Sequence, residues 1–241
     1  MALPSFVRLS GQPSRRMHTP QQVGDACRPT QLYPYSAHGT TDTWDILKQA
    51  DQELTSTRIR LVYTNYRIRA GAAGDEHRSG WNREHCWPRS LAPMSAMHCS
   101  MGTDVHNLFC ADPSINSSRG NRWFDDGGQP VVDTSPAPAY SGRTRCRADS
   151  DSWEPRDGAK GVIARAIFYM ACAYAAQDLR ISEAQTGRPY EMGRLSTLLA
   201  WNEQHPVTEW ERRRNRVIGT YQGNLNPFIE CPTLANRVYW Q

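Results

Sequence analysis

Lysine is almost absent from this chain of 241 residues: Lys48 and Lys160 are the two it has, and arginine supplies every other cationic side chain. Arginine forks suit phosphate oxygens, but codon bias in a GC-rich genome gives the same preference without any function. The net charge of +4 is mild and by itself indicates no nucleic-acid partner. Long apolar runs are missing too. None approaches the ~18–20 residues that cross a bilayer, and the longest, residues 162–176, is interrupted by Arg165 and reads as a buried helix. No membrane partner is expected. There are no internal repeats and no low-complexity linkers, so one α+β domain is the economical fold class.

Closely spaced cysteine pairs are also lacking: the seven cysteines include no Cys-x-x-Cys. Cys172 sits in an apolar helical pattern and reads as a free core thiol. Cys27, Cys86, Cys99, Cys110, Cys146 and Cys231 remain, enough for three disulfide bonds, which points to an oxidising compartment and a secreted or periplasmic protein. Yet Met1-Ala-Leu-Pro-Ser-Phe-Val-Arg8 lacks the basic start and apolar stretch of a signal peptide. The two signals disagree: either the segment is already trimmed or the thiols are reduced.

Residues 1–40 are rich in Pro, Gln, Ser, Thr and Gly without a sustained period and read as an irregular arm, with a single domain spanning 41–241. A Thr or Asp cap at 41–43 opens a helix through Trp44, Ile46 and Leu47. Residues 58–64 alternate with β-branched side chains and predict a strand. Residues 125–160 are Gly-, Pro- and Asp-rich and read as long loops with one hairpin. Helical spacing returns at Val162–Tyr174 and Leu195–Asn202, and Thr208-Glu-Trp-Glu211 has the form of a capping box before a third, arginine-rich helix. Arg212–Arg216 reads as a solvated helix face rather than a nucleic-acid clamp.

The chemistry concentrates in residues 81–124. Trp81–Trp87 predicts a strand stopped near Pro88, and His106-Asn-Leu-Phe109 another. Asp112-Pro113 predicts an N-cap and first helical residue, with Asn116 on the short helix that Gly120 ends. A carboxylate (Glu84), an imidazole (His85) and an amide (Asn116) on strand, loop, strand and helix suit metal-assisted phosphodiester cleavage. Adjacent strand residues point to opposite faces, so this reading requires the strand to end or bulge at Glu84–His85.

These blocks, Asn82-Arg-Glu-His-Cys-Trp-Pro88, Asp104-Val-His-Asn-Leu-Phe-Cys-Ala-Asp112 and Ile115-Asn-Ser-Ser-Arg-Gly-Asn121, resemble the endonuclease I family of non-specific nucleases, within the ββα-metal (His-Me finger) superfamily. The resemblance continues through Gly161–Met170, Trp201–Glu211 and Gln222–Phe228, over roughly residues 41–231. It implies a ββα-metal finger core surrounded by helices and long loops. It also implies His85 as general base, Glu84 and Asn116 as ligands of one divalent cation, and 5′-phosphate products. That cation is Mg²⁺, with Mn²⁺ or Ca²⁺ as substitutes. Asn107 is a supporting residue by its nine-residue offset from Asn116, while Asp104 and His106 are weaker candidates for support. Arg83, Arg119 and Arg122 are the candidate phosphate contacts. The partner is DNA, with RNA left open, and the protein is read as a monomer with no inhibitor protein identified. In some members a loop arginine assists the leaving group; residues 90–103 here contain no Arg or Lys, so that task falls elsewhere.

An imidazole near its usual pKa of roughly 6.5 predicts activity that falls on acidification through that value, and a flat rate between about pH 5 and 8 counts against it. Two alternatives stand beside the enzyme. One is a structural zinc site from His85, Cys86, His98, Cys99, His106 and Cys110, disfavoured because adjacent His-Cys residues do not easily share one ion. The other is a catalytically silent, disulfide- or zinc-stabilised nucleic-acid-binding protein on the same scaffold. The cysteines at 86 and 110 stand where the family usually has aliphatic and proline residues, with bridging to Cys99 or Cys146, or simple packing, left open.

Overall fold

Helices begin where a polar cap meets an apolar face. In the computed structural model, which describes residues 17–71, 80–93, 100–133 and 142–240, Thr19 caps α1 (Pro20–Cys27) in a capping box with Gln22. This corrects the irregular reading of residues 1–40 within its described part. Val23 and Cys27 of α1 are buried in the core, and the local signal was Thr-x-x-Gln with proline at the first helical position. Asp42 caps α2 (Thr43–Ala50) by accepting from the N–H groups of Trp44 and Asp45.

Strands β1 (Arg58–Arg60) and β2 (Arg67–Arg69) form an antiparallel hairpin, Ile59 opposite Ile68. The strand expected over 58–64 stops early because the chain turns at 61–66, with Asn65 in the left-handed region at φ 61°. Next come β3 (Asn82–His85) and β4 (Leu108–Ala111), an antiparallel pair with Glu84 opposite Phe109 and His85 opposite Leu108. Asp112 caps α3 (Pro113–Arg119), and Gly120 ends it at φ 60°. Both ends fall where the sequence places them.

Much of residues 125–160, expected as long loops with one hairpin, instead belongs to a four-stranded sheet of order β5-β8-β7-β6: β5 (Trp123–Phe124), β6 (Gln129–Asp133), β7 (Gly142–Ala148) and β8 (Ser152–Glu154). Strands β5 and β8 are too short to show alternation, whereas β7 alternates, with Thr144 and Cys146 buried and Arg145 and Arg147 exposed. Helix α4 (Asp157–Ala173) is buried nearly throughout. Parallel strands β9 (Arg180–Ser182) and β10 (Glu191–Arg194) lead into α5 (Leu195–Gln204), α6 (Glu209–Gln222) and α7 (Pro227–Glu230).

Thr208 caps α6 by accepting from the Glu211 N–H. The expected capping box is half realised, because the Glu211 carboxylate goes to buried Arg165, at 2.6 and 2.7 Å. Arg214 corrects the solvated-face reading of 212–216: it is buried, pairs with Asp51 at 2.7 Å and donates to the carbonyls of Val105, ahead of β4, and of Leu108, its first residue. It thereby ties α6 to the hairpin that carries the candidate site.

The core has two clusters, and β4 separates them. Phe109 and Ala111 join the cluster around α4, while Leu108 and Cys110 join that of Ile46, Ile59, Trp81 and Ile218. Alternation explains the partition: both faces of β4 are covered, so all four residues are buried. Among the described residues no helix is long and apolar enough to cross a membrane.

Candidate active site

Strand β3 delivers the central residues. It runs in regular register with β4 and ends at His85, so the required break falls immediately after the pair. Directly opposed residues of paired strands share a face. Glu84 therefore leaves on the Phe109 side and His85 on the Leu108 side, and their neighbours differ accordingly.

Glu84 is 2% exposed, and its Oε1 accepts from Tyr63 Oη at 2.6 Å and Arg119 Nη1 at 3.1 Å. Burial pushes its carboxyl pKa up, against the pull of Arg119, the Tyr63 hydroxyl and the His85 N–H. Both side-chain donors meet Oε1, so Oε2 is the oxygen that could hold a cation.

His85 Nε2 lies 2.8 Å from the Gly102 carbonyl oxygen. A carbonyl only accepts, so Nε2 carries the proton and Nδ1 keeps the basic lone pair. The ring stacks on Tyr35 with centroids 5.6 Å apart. Burial pushes the imidazole down to about 4, opposed by the Gly102 carbonyl and reinforced by the charges of Arg89, Arg83 and Arg119. This corrects the expectation of an ordinary imidazole: burial favours the neutral ring well below pH 6.5.

Asn116, half-buried on α3, donates from Nδ2 to Asn82 Oδ1 at 2.8 Å and to the Arg83 carbonyl at 3.3 Å. With its nitrogen held on the β3 side, its Oδ1 is the atom left to ligate. Asn107 is fully buried and clasps the end of β3, accepting from the Trp87 N–H at 2.7 Å and donating to the Trp87 carbonyl at 3.2 Å. Its side chain shapes the strand rather than facing a ligand.

The three arginines read as phosphate contacts are all engaged elsewhere. Arg119 is fully buried: besides Glu84 it donates to the His85 and Cys86 carbonyls at 3.0 and 2.8 Å and lies over the Phe124 ring. The Arg83 guanidinium lies between the Tyr35 and Trp44 rings and donates to Thr43 Oγ1 at 2.7 Å and to the Tyr35 carbonyl. Arg122 donates to Asp149 O at 2.9 Å and to the carbonyls of Ser118 and Arg119, closing the end of α3. Periodicity carries no information about distant partners such as Glu84 for Arg119, Tyr35 for Arg83 and Asp149 for Arg122, which is why the sequence alone exposed all three to substrate.

Asp104 is buried and accepts from Tyr169, Tyr174 and Gln222 at 2.7–2.9 Å, anchoring the 101–106 turn to α4 and α6. His106 packs on Tyr169, and burial pushes its imidazole down to about 4. Both serve the scaffold. The six described cysteines, Cys27, Cys86, Cys110, Cys146, Cys172 and Cys231, are free thiols, which corrects the expected disulfides among them. Cys99 and His98 lie outside the described residues. Among the described residues no three His, Cys, Asp or Glu side chains gather around a metal position, so the zinc reading gains no support from His85, Cys86, His106 and Cys110.

Three residues escaped sequence reasoning. Tyr63 and Asn82 hold Glu84 and Asn116. Arg89, exposed on the 3₁₀ turn Arg89–Leu91, adds its charge to the surroundings of His85 and makes no hydrogen bond or ion pair with a described residue. It lies one position before the loop that lacks basic residues.

A β-hairpin and short helix holding an imidazole, a carboxylate and an amide, taken with the chain's relatives, define a nuclease. More particularly, the chain belongs to the endonuclease I family, whose profile matches residues 30–233, and it is an endonuclease. It is similar to the extracellular ribonuclease of Bacillus subtilis (strain 168), 37% identical over 234 residues, covering 90% of this chain and 75% of that protein. The extracellular ribonuclease of Bacillus amyloliquefaciens is 39% identical over 208 residues, 83% of this chain and 68% of that one. The periplasmic deoxyribonuclease of Aeromonas hydrophila is 35% identical over 151 residues, 60% and 56% of the two chains.

Proposed function

We propose that the protein hydrolyses phosphodiester bonds of RNA and DNA with little sequence preference. His85 acts as general base, and one Mg²⁺, with Mn²⁺ or Ca²⁺ as substitutes, is held by Glu84 and Asn116. The observation that carries this reading is His85 itself, neutral by burial and with its proton pinned on Nε2 by the Gly102 carbonyl.

The donor set fits the cation. One carboxylate and one amide oxygen are hard ligands, and Mg²⁺ needs only one or two protein groups besides water and phosphate. When bound, the cation neutralises charge growing on the phosphate and on the departing 3′ oxygen. The protein's own part is positional. Tyr63 and Arg119 hold Glu84, Asn82 turns the Asn116 amide, and His85 Nδ1 takes the proton of the attacking water, leaving a 5′-phosphate and a 3′-hydroxyl. Glu84 and His85 start on opposite faces, so the site closes around the end of β3. Arg89 is the cation we assign to the scissile phosphate in place of Arg83, Arg119 and Arg122.

RNA stands first among substrates because the relatives that cover most of this chain are named ribonucleases; the shorter match to a deoxyribonuclease keeps DNA in the proposal. The same names favour an extracellular or periplasmic location. Backbone-directed contacts explain tolerance of sequence, since phosphates carry no base information. The test is digestion of a plasmid and of an RNA by wild type and His85→Ala, each with Mg²⁺ and with EDTA. Cleavage is expected only in the wild-type Mg²⁺ tubes; equal nicking in all of them defeats the mechanism.

A further inference from the structure

Away from the candidate catalytic residues, a cleft of about 350 Å³ is lined by Thr64, Asn65, Tyr66, Arg145, Arg156 and Asp157 among others. Its charge is out of balance. Arg145 is exposed on β7 and makes no hydrogen bond or ion pair with a described residue. Arg156 uses Nε to donate to the Val62 carbonyl at 3.1 Å, while its two terminal nitrogens have no acceptor among the described residues. The acid of the cleft, Asp157, already has Lys160 Nζ at 3.2 Å. Burial pushes the Arg156 guanidinium down to about 10, and the neighbouring charges of Arg60, Arg67 and Arg145 push the same way. Two guanidinium groups thus share a cleft without an anion to match them. Helix α4, whose first turn has no side-chain cap, opens at the same place.

The cleft is joined to the catalytic region by one turn. Within residues 61–66, Tyr63 points inward to Glu84, while Thr64, Asn65 and Tyr66 line the cleft. A strand of nucleic acid carries one phosphate per nucleotide, so an endonuclease needs contacts beyond the scissile bond to hold it.

We propose that this cleft is an accessory phosphate subsite, in which Arg145 and Arg156 hold one backbone phosphate of the nucleic-acid strand away from the scissile bond. The proposal rests on the endonuclease reading and adds a binding site to it. A diester phosphate brings one negative charge and planar-fork geometry suits its oxygens.

The test is binding, not turnover. Fluorescence anisotropy of a short labelled single-stranded RNA and DNA, in EDTA and across a salt series, is measured for wild type, Arg145→Glu, Arg145→Lys and a control, Arg188→Glu, at another exposed arginine. Arg145→Glu is expected to weaken binding roughly tenfold and to lower the slope of log K against log salt by about one. Arg145→Lys should keep most of the affinity, and Arg188→Glu should change it less than about twofold. Unchanged binding by Arg145→Glu, or equal loss in both glutamate variants, overturns the subsite. Saturable binding of inorganic phosphate that Arg145→Glu abolishes, with oligonucleotide affinity intact, makes it a free-anion site and overturns it as well. Wild-type cleavage is assayed in parallel: its absence sinks the endonuclease reading, whereas the anisotropy shift still reads the subsite.

Discussion

The Tyr63 hydroxyl donates to Glu84 Oε1 at 2.6 Å inside the core, across 21 positions of sequence. Burial and the adjacent Glu84 charge hold the phenol well above its ordinary pKa, so it stays a donor at any working pH. Tyr63→Phe removes that donor and keeps the ring that packs on Trp153. We expect the half-saturating Mg²⁺ concentration to rise and kcat to fall roughly tenfold, on the scale of one hydrogen bond to a charged group. A metal titration of cleavage rate checks it, and an unchanged titration curve removes Tyr63 from the site.

Arg119 and Glu84 form a buried ion pair at 3.1 Å, with neither side chain more than 3% exposed. Removing one partner of such a pair costs about 3–5 kcal/mol, because the other charge stays buried and unmatched. Arg119→Met is therefore expected to lose most of its stability in urea, and Arg119→Met with Glu84→Gln to recover part of it. Strictly additive losses in the double variant would show that the two side chains do not interact.

Acid should destabilise the fold through its buried histidines. His85 and His106 are both pushed down to about 4 by burial, while unfolded imidazoles titrate near 6.5. Between those values the unfolded chain binds protons that the folded chain refuses, so stability falls as pH drops, by up to about 1.4 kcal/mol per pH unit for each histidine. Urea midpoints of the metal-free protein from pH 7 to 5 measure the slope. His106→Gln should remove about half of the histidine contribution; an identical slope in the variant contradicts the burial argument.

Arg89→Ala should fold as wild type, since the side chain is exposed and bonded to no described residue. Its loss is expected to lower kcat/KM about tenfold by removing one charge–phosphate contact. Steady-state kinetics on a uniform oligonucleotide decides this. Wild-type values would return the phosphate contact to another residue.

Alkylation of the denatured, unreduced protein should modify Cys27, Cys86, Cys110, Cys146, Cys172 and Cys231, because all six are free thiols. In the native state Cys231, the partly exposed one, should react first. Burial pushes the Cys146 thiol up to about 11 and those of Cys86 and Cys172 well above the usual thiol value, so they remain protonated and slow. Peptide mapping that finds a disulfide between any two of the six contradicts the structure.

Local signals were legible and accurate. Asp112 and Pro113 start α3 and Gly120 ends it, as expected from cap chemistry. Asp42 does the same for α2, and the apolar period of residues 162–174 marks α4. The sheet of residues 123–154 was not legible at β5 and β8, which are too short to show a period, and the alternation of β7, Thr144 and Cys146 buried and Arg145 and Arg147 exposed, was overlooked. Helix α1 was overlooked although its Thr19–Gln22 box is local.

By itself the sequence determined the caps, the buried helix, the strand–turn–helix order and the motif blocks of a nuclease, because each of these depends on residues a few positions apart. Only the tertiary structure decided that Arg119 serves Glu84 rather than a phosphate, that Arg214 braces Asp51, and that His85 titrates near 4. Partners separated by 35 to 163 positions and the loss of water around them set those outcomes. Desolvation and long-range pairing exist only once the chain has packed.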